Sequence, residues 1–261
     1  MTGPKPSIDF RYSPQAAFMG TSPVVGFGAD DFYLEIIPKH KADALIVKHH
    51  YSHKVYAGSM LHFGVFIDGA LLGVLQYGAA MNPASGGSVV DGTTIDTFLE
   101  LNRMWMDDIA PRNTESRAIA YSMKLIRKLR PRTEWVQSFA DERCGGLGIV
   151  YQAANFEYYG EHTSVFWELD GITYHNIAMT VRTRKNAKEQ HLQNNRERAV
   201  SQSLRQFRYI YWIDRRAKKR VKLKQQPYPK HYEEAAANQR KDIDNGHMGS
   251  TSPNRGDHGA D

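Results

Sequence analysis

The chain has 261 residues, of which 41% are hydrophobic, and it carries a formal net charge of +6 at pH 7. The length suffices for one sizeable core, whereas the lack of any run of 18 apolar residues argues against a membrane span. We expect no secretory signal, because no basic stretch followed by an apolar stretch opens the chain. The single cysteine, Cys144, excludes an internal disulfide and agrees with a reducing cytoplasm.

The first third of the chain predicts an irregular segment, a helix and a hairpin. Residues 1–30 are rich in Pro, Gly and Ser, which is typical of irregular structure. A helix opens at Pro38, since proline is tolerated in the first turn. The Asp68-Gly69 pair is a strong two-residue turn signal. These elements continue, in chain order, as strands at 61–67 and 71–77 and a loop of small residues at 82–94.

The centre of the chain predicts a strand, a helix and a second strand. Residues 98–106 alternate in polarity, so one face of this strand is expected to carry Leu99, Leu101, Arg103 and Trp105. A helix begins at Asn113 or Thr114 and ends before Pro131. The next strand spans 135–140, and glycines then form a turn.

The remaining sequence predicts short elements and a basic stretch. Asp170-Gly171 forms the turn between two of the strands. The elements are a short helix at 149–155, strands at 165–169 and 172–175, a mostly helical stretch at about 182–204, and a closing strand at 207–213. This order predicts an α/β protein with a single mixed sheet flanked by helices.

Charge is unevenly distributed along the chain. Residues 182–230 hold 16 Lys and Arg against 3 Asp and Glu, while the rest of the chain is mildly acidic. Such asymmetry, interleaved with aromatic residues, favours a nucleic-acid partner, although a solvated basic helix would look the same. The predicted DNA-binding residues are Arg205, Arg208, Arg215, Arg216, Lys218, Lys219 and Arg220.

Five blocks of sequence carry a resemblance to a known family. The blocks are HHYSH at 49–53, ELNRMW at 100–105, RNTES at 112–116, SFAD at 138–141, and GIVYQAANFEYYG at 148–160. Together they span roughly residues 40–215 and are similar to the Mom family of bacteriophage DNA-modification proteins. The order of the blocks is more specific than any one block.

The resemblance implies a GNAT-like fold and a DNA-modifying activity. Family members add a methylcarbamoyl-type, acyl-like group to N6 of adenine, which protects phage DNA from host restriction in the host cytoplasm. The expected partner is double-stranded DNA with the target adenine flipped out of the stack. The implied organisation is an irregular segment at 1–30, a catalytic domain at 31–215 that includes part of the basic segment 182–230, and a disordered tail at 231–261.

In the GNAT fold a cofactor lies where two central parallel strands separate. Ordinary acetyltransferases hold coenzyme A with a glycine-rich loop after the first of these strands. This chain has no glycine there, so the group donor stays open, although an acyl-CoA-like donor is compatible with a helix N-terminus and nearby arginines. The predicted cofactor-binding residues are Arg112, Asn113 and Ser116.

Four residues are candidates for the reaction centre. Arg103 would hold a cofactor or a developing negative charge, or else form a structural ion pair, for which Asp141 is the candidate partner. Asp141 would act as a base or as a hydrogen-bond acceptor for the adenine N6 amine, or else form a turn. Tyr151 is the candidate general acid, against the alternative of an ordinary half-buried tyrosine. Ser138 is the fourth candidate, as a hydrogen-bond donor to a ligand.

Three histidines lie within five residues. His49 and His53 are expected to share a helix face, and the predicted metal ligands, for iron, are His50 and His53. A carboxylate ligand is missing from this spacing, so packed or surface histidines are the alternative.

Two other functions fit parts of the sequence. One is an ordinary GNAT acetyltransferase that acts on a protein or a small amine, against which the missing glycine-rich loop counts. The other is a non-catalytic DNA-binding or anti-restriction protein that uses the same basic segment.

Overall fold

The fold was analysed in a computed structural model, which describes residues 7–13, 23–142, 146–182 and 186–230. In these residues, ten strands form one sheet in the order β1-β2-β3-β4-β5-β6-β7-β10-β8-β9. Every neighbouring pair is antiparallel except β6 and β7, so the predicted mixed sheet is confirmed. The strands are β1 Asp9–Tyr12, β2 Val24–Ala29, β3 Phe32–Ile36, β4 Ser59–Ile67, β5 Ala70–Gly78, β6 Phe98–Met106, β7 Trp135–Asp141, β8 Glu157–Leu169, β9 Ile172–His175 and β10 Val200–Trp212.

Helices cover both faces of this sheet. The 16-residue helix α3 packs its apolar side, including Ile119 and Ile126, on the main core cluster. Helix α1 packs Ala42 and Ile46 on the opposite face, against Val74. The helices are α1 Lys39–His49, α2 Ser85–Val89, α3 Thr114–Leu129, α4 Ile149–Ala153, α5 Asn176–Thr180 and α6 Ala187–Asn194.

Elements with strong local signals form as predicted. The hairpin of β4 and β5 turns at Asp68 and Gly69, whose φ angles of 47° and 79° are those of a tight two-residue hairpin turn. Helix α1 starts directly after Pro38, and α3 starts directly after Asn113. These elements position β6 and β7, the two strands that border the candidate site.

Several predictions are wrong because long-range pairing overrides local composition. The segment 1–30 is not wholly irregular, since β1 and β2 pair with each other and extend the sheet. The loop 82–94 contains α2, and the helical stretch predicted to reach residue 204 ends earlier. From Val200 the chain instead pairs with β8, which itself starts at Glu157 rather than at residue 165. The predicted tail at 231–261 lies outside the described residues.

A bulge in β6 turns its side chains over. Leu101 pairs with Tyr77 of β5 and Arg103 pairs with Gln76, so Asn102 is the extra residue. Leu101 therefore faces α3, whereas Arg103 faces the α1 side. The prediction that Leu99, Leu101, Arg103 and Trp105 share a face is wrong, because Trp105 stacks on His49 of α1 with ring centroids 4.2 Å apart.

The two central parallel strands part after three residue pairs. Pairing of β6 with β7 runs from Phe98 opposite Trp135 to Glu100 opposite Gln137, and then stops. Both strands continue, β6 to Met106 and β7 along β10 to Asp141. The separation opens a gap in the middle of the sheet, and residues of both strands line a cleft there.

Candidate active site

A cleft of about 790 Å³ opens on the α1 side of the separated strands. Alternation along β7 directs Gln137, Phe139 and Asp141 into it, whereas Val136 and Ala140 join the core below α3. The β8–β9 hairpin and the loops at 51–54 and 80–85 also line the cleft. The cleft is large enough for a nucleobase with its sugar.

The floor of the cleft is a partly buried polar network centred on Glu100. Its carboxylate accepts hydrogen bonds from Gln137 Nε2 at 2.8 Å and from Asn102 Nδ2 at 3.2 Å. Arg208 Nη1 donates to Gln137 Oε1 at 2.8 Å, and its guanidinium lies 4.8 Å from the Phe139 ring. Burial raises the pKa of Glu100, although these hydrogen bonds and the nearby arginines act in the opposite direction.

Arg103 and Asp141 both line the cleft, as two of the predicted catalytic residues. Arg103 Nη1 donates to the Asn102 carbonyl oxygen at 2.6 Å, and Asp141 Oδ2 accepts from Gln206 Nε2 at 3.4 Å. Among the described residues no ion pair joins Arg103 to Asp141. The arginine is held instead by its backbone contact and by the Tyr56 ring, 5.6 Å from its guanidinium carbon.

Ser138 and Tyr151 lie on the other side of the sheet. Ser138 is fully buried, and its Oγ donates to the Leu101 carbonyl oxygen at 3.4 Å. Tyr151, on α4, packs its ring near those of Phe156 and Tyr209. The predicted reaction centre is therefore divided by the sheet, and neither residue lines the cleft.

The second pocket, of about 420 Å³, lies at the N-terminus of α3. It brings together the three predicted cofactor-binding residues, Arg112, Asn113 and Ser116, with Arg117. Asn113 has a φ of 66°, and Ser116 Oγ donates to its carbonyl oxygen at 3.1 Å. The Arg117 guanidinium lies over the Phe32 ring at 4.0 Å. The pocket is open, lies on the face away from the cleft, and is lined by two arginines, Arg112 and Arg117, and two aspartates, Asp31 and Asp68.

His49, His50 and His53 lie in different surroundings at the end of α1. His49 is the last helical residue, so the predicted helix face shared with His53 does not form. His50 is buried, its Nδ1 accepts from the Ser52 backbone N–H at 3.1 Å, and burial lowers its pKa to about 4. His53 Nδ1 lies 3.0 Å from the Val47 carbonyl oxygen. In the described part of the chain, no group of three or more His, Cys, Asp or Glu is placed to hold a metal ion.

The predicted DNA-binding residues separate into two sets. Arg205 is buried and paired with Glu142 at 3.0 Å, and Arg208 belongs to the cleft floor. The prediction that these two arginines are surface contacts to DNA is therefore wrong. We name the other five, which follow the end of β10, the basic cluster: Arg215, Arg216, Lys218, Lys219 and Arg220.

Within the basic cluster, three side chains have acidic partners. Lys218 pairs with Glu157 at 2.6 Å, Arg220 with Glu134 at 2.5 Å and Arg216 with Asp214 at 2.8 Å. Arg215 and Lys219 are exposed. Trp212 and Gln206 mark opposite ends of the β10–β7 pairing, so the cluster lies roughly 20 Å along the strand from Asp141.

Sequence reasoning missed Glu100, Gln137 and His162, which all line the cleft. Glu100 stood in a recognised block, but its partners come from strands that only the fold brings together. Gln137 and Asp141 lie on the same face of β7, and polar residues on one face of a buried strand were the signal in the sequence that could have indicated the cleft.

The fold and the cleft define an α/β protein with one mixed sheet flanked by helices, in which two central parallel strands part over a candidate site. The Mom protein family model matches residues 31–230. Methylcarbamoylase Mom of Escherichia phage Mu is 49% identical over 210 residues, which cover 79% of this chain and 87% of that protein. The chain belongs to the Mom protein family, as its sequence blocks implied.

Solved acetyltransferases resemble the fold more distantly. The ribosomal-protein-S5-alanine acetyltransferase of Vibrio fischeri has a TM-score of 0.44 and 11% identity, over 73% of this chain and 97% of that one. The aminoglycoside acetyltransferase AAC(6')-Ib, solved with coenzyme A and kanamycin, has a TM-score of 0.38 and 14% identity, over 50% and 87%. In the described residues no helix is long and apolar enough to span a membrane.

Proposed function

We propose that this chain transfers a methylcarbamoyl-type group to N6 of adenine in double-stranded DNA, and so protects phage DNA from restriction in the host cytoplasm. The observation that carries the proposal is the hydrogen-bonded floor of Glu100, Gln137 and Arg208 at the point where the central strands part. Family membership and the named activity of the phage Mu relative supply the reaction type.

The cleft is the proposed site for the adenine. N6 is accessible for chemistry only when the base leaves the stack, so the target nucleotide would be flipped into the cleft. Glu100 then accepts the proton that N6 loses as its bond to the carbonyl carbon forms, since a raised pKa brings a carboxylate closer to the working pH. Arg103 stabilises the negative charge on the carbonyl oxygen, and Asp141 orients the base together with Gln206.

The pocket at α3 is the proposed site for the donor. An acyl-CoA-like donor carries phosphates, which Arg112 and Arg117 beside the helix N-terminus would hold, in a pocket that Asp31 and Asp68 also line. When bound, the donor would supply the activated carbonyl group, which is proposed to reach the adenine through the gap between β6 and β7 and to lose its leaving group there. Tyr151 lies on this side of the sheet and is proposed to protonate the leaving group, whereas Ser138 is given no chemical role because it is buried in the core.

Surface cations are the proposed contacts to the DNA backbone. Arg215 and Lys219 are exposed in the basic cluster, and Lys54 and Lys188 line the cleft itself. Iron ligation by His50 and His53 stays a prediction.

Mass spectrometry of nucleosides tests the proposal. DNA from cells that express the wild type is expected to contain a modified deoxyadenosine, and DNA from cells that express Arg103→Ala is not. Circular dichroism verifies that the variant folds. An acetylated protein or amine in place of modified DNA would indicate an ordinary acetyltransferase, and the absence of any product would indicate a non-catalytic DNA-binding protein.

A further inference from the structure

Exposed apolar side chains surround the mouth of the cleft. Tyr51, Met81 and Ile172 are 53%, 58% and 36% exposed, and all three line the cleft. They come from three separate segments: the loop after α1, the loop after β5 and the start of β9. Apolar groups gathered at the opening of a polar cleft indicate contact with a partner rather than chance exposure.

Cationic side chains accompany these apolar residues. Lys54 donates from Nζ to the Thr173 carbonyl oxygen at 3.0 Å, so it joins the loop after α1 to β9 at the mouth. Lys188 on α6 is exposed and lines the same cleft. A mouth with an apolar rim and cationic flanks matches a stack of bases between two phosphate backbones.

We propose that duplex DNA docks over this mouth and that Met81 enters the base stack at the position vacated by the flipped adenine. The proposal rests on the function proposed above and adds the residue that stabilises the extruded state. Tyr51 is less suited, because its ring already lies 4.3 Å from that of His50, and Ile172 is the least exposed of the three.

The loop that carries Met81 is anchored on both sides. Before it, the Ala79 carbonyl oxygen accepts from the Tyr56 hydroxyl at 2.8 Å. After it, the Asn82 carbonyl oxygen accepts from Ser85 Oγ at 2.6 Å. A fixed loop therefore presents a flexible, unbranched apolar side chain, which adapts to the faces of different neighbouring bases.

Insertion of Met81 into the base stack, which we call the wedge, is expected to raise the affinity for duplex DNA. Flipping a base from a fully paired duplex costs unstacking and unpairing, and an inserted side chain recovers part of that cost. An abasic site opposite the adenine removes the pairing in advance, so less depends on the wedge. Loss of Met81 should therefore weaken binding to the paired duplex much more than binding to the abasic duplex.

The test measures binding of the full chain to two fluorescent duplexes with the same sequence. One is fully paired, and the other has an abasic site opposite each adenine. We expect Met81→Ala to weaken binding to the paired duplex by about tenfold and binding to the abasic duplex by less than about twofold. Met81→Leu should restore most of the affinity, because it replaces the apolar surface.

The matched control is Met60→Ala on β4, a methionine that is 39% exposed and does not line the cleft. It should bind both duplexes as the wild type does. Equal affinities of Met81→Ala and wild type on both duplexes, or an equal loss on both, would overturn the wedge. Failure of the proposed function would be seen in a different measurement. DNA from cells that express the wild-type protein would then contain no modified deoxyadenosine, whatever the binding experiment shows.

Discussion

The cleft at the parted strands and the pocket at the N-terminus of α3 differ in how their polar groups are held. Glu100, Gln137 and Arg208 are joined by hydrogen bonds in the floor of the cleft. Arg112 and Asn113 at the α3 pocket are exposed. A charge that is removed from water is retained only when it is well partnered, whereas an exposed arginine needs no such partner. The contrast supports the proposal that the cleft performs the chemistry and that the α3 pocket binds the donor.

The largest effect is expected at the cleft floor. Glu100→Gln keeps the shape of the side chain but cannot accept the N6 proton, so modification should fall by about 100-fold or more. Wild-type activity should decline as pH falls and Glu100 is protonated, with a midpoint above the usual range for glutamate because its pKa is raised. Nucleoside mass spectrometry measures both.

Glu168→Gln on β8 is the matched control, since this glutamate is exposed and does not line the cleft. Its activity should equal that of the wild type. Full activity of Glu100→Gln would remove Glu100 from the centre and return the base role to Asp141.

A smaller effect is expected at the α3 pocket. Arg112→Ala should weaken binding of coenzyme A, used as an anionic probe, by about tenfold, because the variant cannot donate a charge-assisted hydrogen bond to a phosphate. Isothermal titration calorimetry measures the affinity, and Arg132→Ala, an exposed arginine outside the pocket, is the control. Unchanged affinity in Arg112→Ala would place the donor elsewhere.

The basic cluster should modulate DNA affinity rather than catalysis. Combined Arg215→Ala and Lys219→Ala should reduce the log–log slope of affinity against salt by about 0.9 for each phosphate group that the variant no longer neutralises. Titrations of the two proteins over a range of salt concentrations measure the difference. Identical slopes would show that neither residue contacts the DNA backbone and would leave the phosphate contacts to the cations at the cleft mouth.

The smallest effect on modification is expected at His50, which is buried and accepts a hydrogen bond from the Ser52 backbone N–H. Its pKa is about 4 when folded against about 6.5 when unfolded, so only the unfolded chain gains a proton between these values. The free energy of unfolding should therefore fall as pH drops from 6.5 to 4, by about 3 kcal/mol at most, and be unaffected above pH 6.5.

Urea denaturation at pH 7.5 and pH 5 tests this expectation. His50→Gln should lose the part of the pH dependence that His50 contributes and contain as much metal as the wild type, whereas His62 and His162, whose pKa values burial also lowers, should keep their smaller contributions. Iron that is present in the wild type and absent from His50→Gln would instead establish His50 as a ligand.

Local signals account for the parts of the fold that the sequence predicted. The Asp68-Gly69 turn and the apolar side of α3 are encoded by neighbouring residues. The bulge at Asn102 is not, because it exists only in the register of β6 against β5. That one extra residue moves Arg103 to the cleft side, and an alternating pattern cannot reveal it.

The same reasoning explains what was found and missed in the site. Arg103 and Asp141 were recovered through sequence blocks. Arg205 and Arg208 looked like surface cations, because a run of charges hides the fact that β10 pairs with β7 and β8 on both sides. Their burial depends on partners 60 or more residues away, such as Glu142 and Gln137.

Photo-crosslinking tests the central claim, that the adenine enters the cleft, most directly. The full chain would be irradiated with a duplex that carries 8-azidoadenine, and the labelled peptides would be identified by mass spectrometry. We predict labels on segments that line the cleft, chiefly 80–85, 137–141 and 162–175. Labels confined to residues 111–117 or to the basic cluster would contradict the account.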